Sequence, residues 1–186
     1  MQDRETGMQK IFLIGYMGSG KTSVGKCLAQ KIGLQFIDLD FFIENRYRKT
    51  INEIFEEKGE PGFRELEHRS LLEIVNFENT VISTGGGAPC FYNNMDIMNQ
   101  SGITVYLKTS VDELAKRLDS CKHNRPLIKD KNIEELKEYI TENVAKREAF
   151  YNQASIVIDV EKLITEKDIN SIVTHLISNL PIEAMQ

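Results

Sequence analysis

Apolar residues follow two rhythms along this chain. Short apolar runs rich in Ile and Val occupy Lys10–Gly15, Gln35–Asp38, Thr80–Thr84, Ile103–Leu107 and Ser155–Asp159. Such short, bounded runs predict strands covered on both faces. Between them lie polar stretches with apolar residues at helical spacing, as at Val24, Leu28, Ala29 and Ile32. Thr50-x-x-Glu53 and Ser110-x-x-Glu113 read as capping boxes, Thr165-x-x-Asp168 resembles one, and Pro61 suits a first helical turn. Five strands alternating with crossover helices predict an α/β fold with a parallel, doubly wound sheet. Ligands in such sheets sit beyond the carboxyl ends of the strands, so strand ends are where chemistry is expected.

The first strand end carries it most clearly. Gly15-Tyr16-Met17-Gly18-Ser19-Gly20-Lys21-Thr22 fits G-x-x-x-x-G-K-[ST] and lies between a predicted strand and a predicted helix. Glycines there let backbone N–H groups face phosphate oxygens at the positive end of a helix. Lys21 is expected to protrude from the loop toward the β- and γ-phosphates, and the Thr22 hydroxyl to ligate Mg²⁺. The motif, complete and in context, predicts binding of a nucleoside triphosphate.

Composition narrows the class. At 186 residues, with 41% hydrophobic and 27% charged residues, one compact domain over residues 1–186 is expected. The start, Met1–Gly7, is too polar for a signal peptide; residues 1–9 read as a flexible leader, with Met8 an equally good start. No apolar run approaches a membrane span. Three cysteines without C-x-x-C spacing read as reduced thiols of a cytoplasmic protein, and three scattered histidines suggest no metal cluster. A net charge of −5 argues against a nucleic-acid partner. The expected partners are small molecules, and the expected state is monomeric.

Other strand ends add candidates. Ile37-Asp38-Leu39-Asp40 places two carboxylates two residues apart, pointing the same way along a strand. One near Mg²⁺ and one near an acceptor hydroxyl is what phosphoryl transfer to an alcohol uses. The same pair also reads as a solvated strand end in which Asp40 caps the following helix. Gly85-Gly86-Gly87 costs backbone entropy, which a ligand lying close to the main chain would explain; a plain flexible loop is the alternative. Arg64, Arg125 and Arg147 taken singly read as solvated arginines, and pattern alone does not select them.

In combination these residues resemble the shikimate kinase family from near the start to near the end. The resemblance rests on the phosphate loop with Gly18-Ser19-Gly20-Lys21-Thr22, on Asp38-Leu39-Asp40, Phe63-Arg64, Gly85-Gly86-Gly87 and Arg125-Pro126-Leu127, and on Arg147 four residues before Tyr151. It implies the three-layer, five-stranded P-loop NTPase fold of the nucleoside monophosphate kinase type. It implies transfer of the γ-phosphoryl group of ATP to the 3-hydroxyl of shikimate. By resemblance, Gly18, Ser19, Gly20, Lys21, Thr22 and Ser23 contact the nucleotide, and Thr22 and Asp38 hold Mg²⁺. Asp40 binds the ring hydroxyls and is the base, Arg64 and Arg147 grip the carboxylate, and the Gly85–Gly87 backbone meets the substrate. Arg125 sits on a mobile lid over residues 121–130 and reaches the ATP phosphates. Arg117 is the nearest candidate for the family's adenine-binding arginine. A second base-clamping segment would fall in Val160–Ile164, where the match is loose.

The chemistry is consistent with these types. An acceptor with one carboxylate suits planar arginine forks, and an acceptor hydroxyl suits a nearby carboxylate base. Kinases of gluconate or of nucleoside monophosphates share the loop but are not expected to carry this arginine and triple-glycine set. A GTP switch would carry N-K-x-D, which does not occur here, and a motor ATPase would be longer.

Overall fold

The computed structural model describes residues 10–120 and 128–181. The expected leader, and Arg125 with most of the expected lid, lie outside the described residues. In chain order the strands are β1 (Lys10–Ile14), β2 (Gln35–Asp38), β3 (Thr80–Ser83), β4 (Ile103–Lys108) and β5 (Ile156–Asp159). The helices are α1 (Lys21–Ile32), α2 (Leu39–Tyr47), α3 (Ile51–Ile74), α4 (Asn94–Ser101), α5 (Val111–Asp119), α6 (Ile133–Tyr151) and α7 (Glu166–Asn179), with a 3₁₀ turn at Ala88–Cys90. All five strands pair in parallel, in the order β2-β3-β1-β4-β5. Helices cover both faces, as the apolar runs predict.

β1 shows why two covers are needed. Its residues alternate sides, and both sides are apolar. Ile11 and Leu13 pack with Val24 and Leu28 of α1 and Val173 and Leu176 of α7. Phe12 and Ile14 pack with Leu39 and Ile43 of α2, Phe63 and Leu71 of α3, Met98 of α4 and Tyr151 of α6. The four apolar β1 side chains, Ile11 to Ile14, are fully buried, each contributing roughly 1.5–3 kcal/mol of transfer free energy. β1 lies between β3 and β4, so the crossovers diverge from it and open a crevice at its carboxyl end. That is where the phosphate-loop motif falls.

Local signals mostly behave as read. Thr50 and Thr165 form full capping boxes, with Glu53 and Asp168. Ser110 caps α5 by accepting from Glu113 N, but the reciprocal bond does not form. The Glu113 carboxylate is taken instead by Arg117 Nε at 3.0 Å. Pro61 follows a break at Gly59 (φ 65°) within α3, and so opens the second helical run. The cap of α2 is Asp38, not Asp40: Asp38 Oδ1 accepts from Asp40 N and Phe41 N, and the helix begins directly at the end of β2.

Candidate active site

The strand ends meet in one cleft of about 260 Å³, lined by Met17–Gly18, Gly20–Ser23, Asp38, Asp40 and Ser83–Gly86. The phosphate-loop, D-x-D and glycine segments are thus brought together, although they are separate in sequence.

The loop's shape depends on glycine at its last turn. Gly20 has φ 94° and caps α1 with no side chain, and a Cβ there would collide with the Leu163 side chain. The N-terminal N–H groups of α1 therefore face the cleft without a competing side-chain cap. Lys21 does not protrude as expected. It is 8% exposed and lies back across the loop, with Nζ donating to Gly15 O at 2.8 Å and Tyr16 O at 2.9 Å. The buried ammonium is held by loop carbonyls, which keeps its charge directly under the cleft.

Thr22 and Asp38 come together across the cleft, the Thr22 hydroxyl donating to Asp38 Oδ2 at 2.9 Å. Asp38 thus caps α2 with one oxygen and meets Thr22 with the other. A hydroxyl and a carboxylate converging beside a phosphate-binding loop are hard oxygen donors of the kind Mg²⁺ takes. Asp40, two residues on within the first turn of α2, is half-buried. Burial, with the like charge of Asp38, pushes its carboxyl up to about 6, against the opposing pull of Lys21 and Arg64.

Two of the expected site arginines lie near the glycine turn. Arg64 is 8% exposed, and its guanidinium lies 4.2 Å from the Phe91 ring centroid and packs flat against Gly87. Its Nη2 pairs with Glu60 at 3.1 Å and its Nη1 with Glu67 at 2.8 Å. Arg147 enters from α6, half-buried, with its guanidinium 5.4 Å from the Tyr16 ring centroid and in the electrostatic neighbourhood of Tyr151. Tyr151 in turn donates to Gly86 O at 2.5 Å. Tyr151 is therefore fixed to the glycine turn and is a neighbour of Arg147.

Arg117 stands apart from that pocket. Its Nη1 donates to Gly18 O at 3.3 Å and its Nη2 to Val160 O at 3.1 Å and Glu161 O at 3.3 Å. It ties the Val160–Ile164 segment to the phosphate loop, so the two segments named for the adenine do lie together.

One residue of the site was missed in the sequence. Glu67, fully buried, has Oε2 on Arg64 and Oε1 with no hydrogen-bond partner. A Cβ at Gly85 would lie 2.7 Å from that oxygen and 2.9 Å from Asp40 Oδ1, so both carboxylates converge over the first glycine. The available signal was the Arg64-x-x-Glu67 spacing, which places opposite charges on one helix face.

Comparison with known proteins points to one family. Residues 17–177 match the family profile described as shikimate kinase. The chain is 57% identical over 165 residues to a shikimate kinase of Parabacteroides distasonis, covering 89% of this chain and 95% of that one. It is similar to the crystal structure of shikimate kinase from Bacteroides thetaiotaomicron, with TM-score 0.89 and 48% identity, covering 92% of this chain and 97% of that one. It is also similar to the shikimate kinase from Acinetobacter baumannii in complex with shikimate, with TM-score 0.82 and 34% identity, covering 94% and 96% of the two chains.

Proposed function

The chain belongs to the shikimate kinase family, and from that premise we propose how its residues divide the work of the reaction. The enzyme is an ATP-dependent kinase of aromatic amino acid biosynthesis. It transfers the γ-phosphoryl group of ATP to the 3-hydroxyl of shikimate, giving shikimate 3-phosphate and ADP.

In the proposed arrangement the backbone N–H groups of Gly18–Thr22, with Ser23, hold the nucleotide phosphates. Lys21 neutralises charge on the transferring group. Thr22 and Asp38 would hold Mg²⁺, which bound there would neutralise phosphate charge. Arg64 and Arg147 take the shikimate carboxylate, and the Gly85–Gly87 backbone forms the floor beneath the ring. Asp40 then faces the acceptor hydroxyl. As that oxygen bonds to the γ-phosphorus and the bond to the β-phosphate oxygen breaks, Asp40 Oδ receives the hydroxyl proton and ADP leaves. The transition state is loose, so positioning and charge neutralisation contribute most of the rate. Arg117 and Val160–Ile164 hold the adenine. Arg125, on a lid spanning residues 121–130, completes the charge around the phosphates and excludes water that would hydrolyse ATP. The enzyme acts as a single monomeric kinase domain in the cytoplasm, with no nucleic-acid or membrane partner; among the described residues no helix is long and apolar enough to cross a membrane.

The observation that carries this division is the single cleft in which the phosphate loop faces Asp38, Asp40 and the glycine turn, with Arg64 packed directly behind Gly87. The test is ADP release from ATP and Mg²⁺ across a panel of hydroxylated small acids. Shikimate should stimulate release strongly, and analogues with the carboxylate replaced by a neutral group, or lacking the matching hydroxyl, should not. Equal stimulation by gluconate or a nucleoside monophosphate would overturn the pocket assignment.

A further inference from the structure

Glu67 is the one carboxylate among the described residues that is fully removed from solvent, and nothing in the scheme above uses it. Oε2 accepts from Arg64 Nη1, while Oε1 is buried, unpartnered and turned toward the floor of the acceptor pocket over Gly85. An ionised carboxylate with one oxygen orphaned forfeits the hydration it had in water. The charged and titratable groups that face it are Arg64 on its own helix, Asp40 of α2, Arg147 of α6 and the Cys90 thiol of the 3₁₀ turn. The thiol stays neutral, since burial pushes it up to about 11. The ionised form of Glu67 therefore depends mainly on the Arg64 guanidinium.

On the reading that Arg64 also receives the substrate carboxylate, the bound substrate brings a second anion to that guanidinium. It shares the cation that holds Glu67 ionised and adds a like charge nearby. A proton on Oε1 removes both penalties. It neutralises Glu67 and converts the orphan acceptor into a donor at the point over Gly85 where Asp40 Oδ1 also converges. We propose that binding of the acceptor carboxylate at Arg64 draws one proton from solvent onto Oε1 of Glu67, so that the pocket takes up its anionic substrate together with a proton. The one bond formed is O–H at Oε1, its proton given up by hydronium or buffer acid; the proton returns to solvent when the carboxylate leaves. In the empty pocket burial already pushes the Glu67 carboxyl up to about 7, so a modest further push is felt at neutral pH. Substrate binding thereby selects the protonated form.

The test is calorimetric titration of the full-length enzyme with shikimate, without ATP, in two buffers of different ionisation enthalpy. At pH 7 the difference should report uptake of about 0.4 proton per shikimate bound, if the substrate raises the group by roughly one further unit. Uptake should be near zero at pH 5.5, where Glu67 is already protonated, and the dissociation constant should rise about tenfold from pH 6 to pH 9. Glu67→Gln should abolish the uptake, and Asp40→Asn should retain it. Shikimate binding with no buffer dependence, or uptake that survives Glu67→Gln and vanishes in Asp40→Asn, overturns the inference alone. Absence of shikimate binding overturns the pocket assignment and the inference with it. The affinity profile of the unmodified enzyme decides the matter even where a variant folds poorly, since a flat profile from pH 6 to pH 9 refutes proton uptake.

Discussion

Tyr151, the last residue of α6, donates its hydroxyl to the carbonyl of Gly86 at 2.5 Å, joining positions 65 residues apart. The Tyr151 ring is fully buried and packs 5.0 Å from Tyr106. The bond therefore fixes the glycine turn against a rigid helix end rather than a mobile side chain. Tyr151→Phe keeps the ring and strands the Gly86 carbonyl, which costs about 1–3 kcal/mol. We expect lower stability to urea and a higher KM for shikimate, with the KM for ATP nearly unchanged. Equal losses for both substrates would show that the bond supports the fold generally and not the acceptor pocket.

Asp38 caps α2 and is proposed to hold Mg²⁺, and a substitution can separate the two. Asn is as good a helix cap as Asp, so Asp38→Asn should leave stability within about 0.5 kcal/mol of the parent. It should nevertheless raise the Mg²⁺ concentration needed for half-maximal activity, because an amide is a weaker ligand than a carboxylate. Thr22→Val should raise the same requirement by removing the hydroxyl. Magnesium titrations of steady-state rate check both; a requirement unchanged in the two variants removes this pair from the metal site.

Arg64→Ala and Arg147→Ala should each weaken shikimate binding ten- to a hundredfold, since each removes charge-assisted bonds of roughly 1.5–3 kcal/mol. Their effects on stability should differ. Arg64→Ala leaves Glu67 buried without its cation, whereas Arg147 has no described carboxylate ion pair to strand. Thermal melts should therefore show the larger drop for Arg64→Ala at pH 8, narrowing at pH 5 where Glu67 is protonated. Equal drops at both pH values would mean that Glu67 does not respond to its partner.

In its proposed role as base, the Asp40 carboxyl, pushed up to about 6, has to be ionised to accept the hydroxyl proton. Turnover should therefore fall as pH drops below about 6. Asp40→Asn should lower it by roughly 10²–10⁴-fold while removing that acid limb, as expected for loss of a general base. Stopped-time ADP assays from pH 5 to pH 8 suffice. An acid limb that persists in Asp40→Asn would assign the proton transfer elsewhere.

What could be read from the sequence was whatever is local. Gly15–Thr22 is a contiguous motif whose strand and helix flanks carry their own periodicities, so its place in the fold followed directly. The β1 run Ile11–Ile14 is apolar at every position, which announced two covering layers. The Glu67–Gly85–Asp40 convergence was not legible, because it joins three elements that only the tertiary fold brings together. Arg117 reaches Gly18 and Val160 across 99 and 43 residues, which is no more legible. Lys21 was expected to extend, but the loop closes carbonyls around it, and that depends on backbone turns no residue type encodes alone. Asp38 displaced Asp40 as the cap because α2 starts without a connecting loop, leaving Asp40 inside its first turn.

Glu67 also predicts how stability changes with pH. Its ordinary value of 4.5 is raised to about 7 in the folded protein, chiefly by burial. Between those values the folded chain holds the proton more tightly than the unfolded chain does. Stability therefore falls as pH rises through this window, by up to about 1.4 kcal/mol per unit where one full proton separates the states. Below the window both states are protonated; above it both are ionised, and the penalty is complete. Glu67→Gln cannot ionise, so it lacks this contribution while keeping a neutral side chain of nearly the same size beside Arg64. Asp40 adds a slope of the same sign, and that slope remains in the variant. Urea denaturation at pH 4.5, 6 and 7.5 should thus show the variant gaining relative to the parent as pH rises, whatever constant offset the lost Arg64 pairing brings. Two stability profiles that run parallel across the window would mean that Glu67 has an ordinary carboxylate's affinity for protons despite its burial.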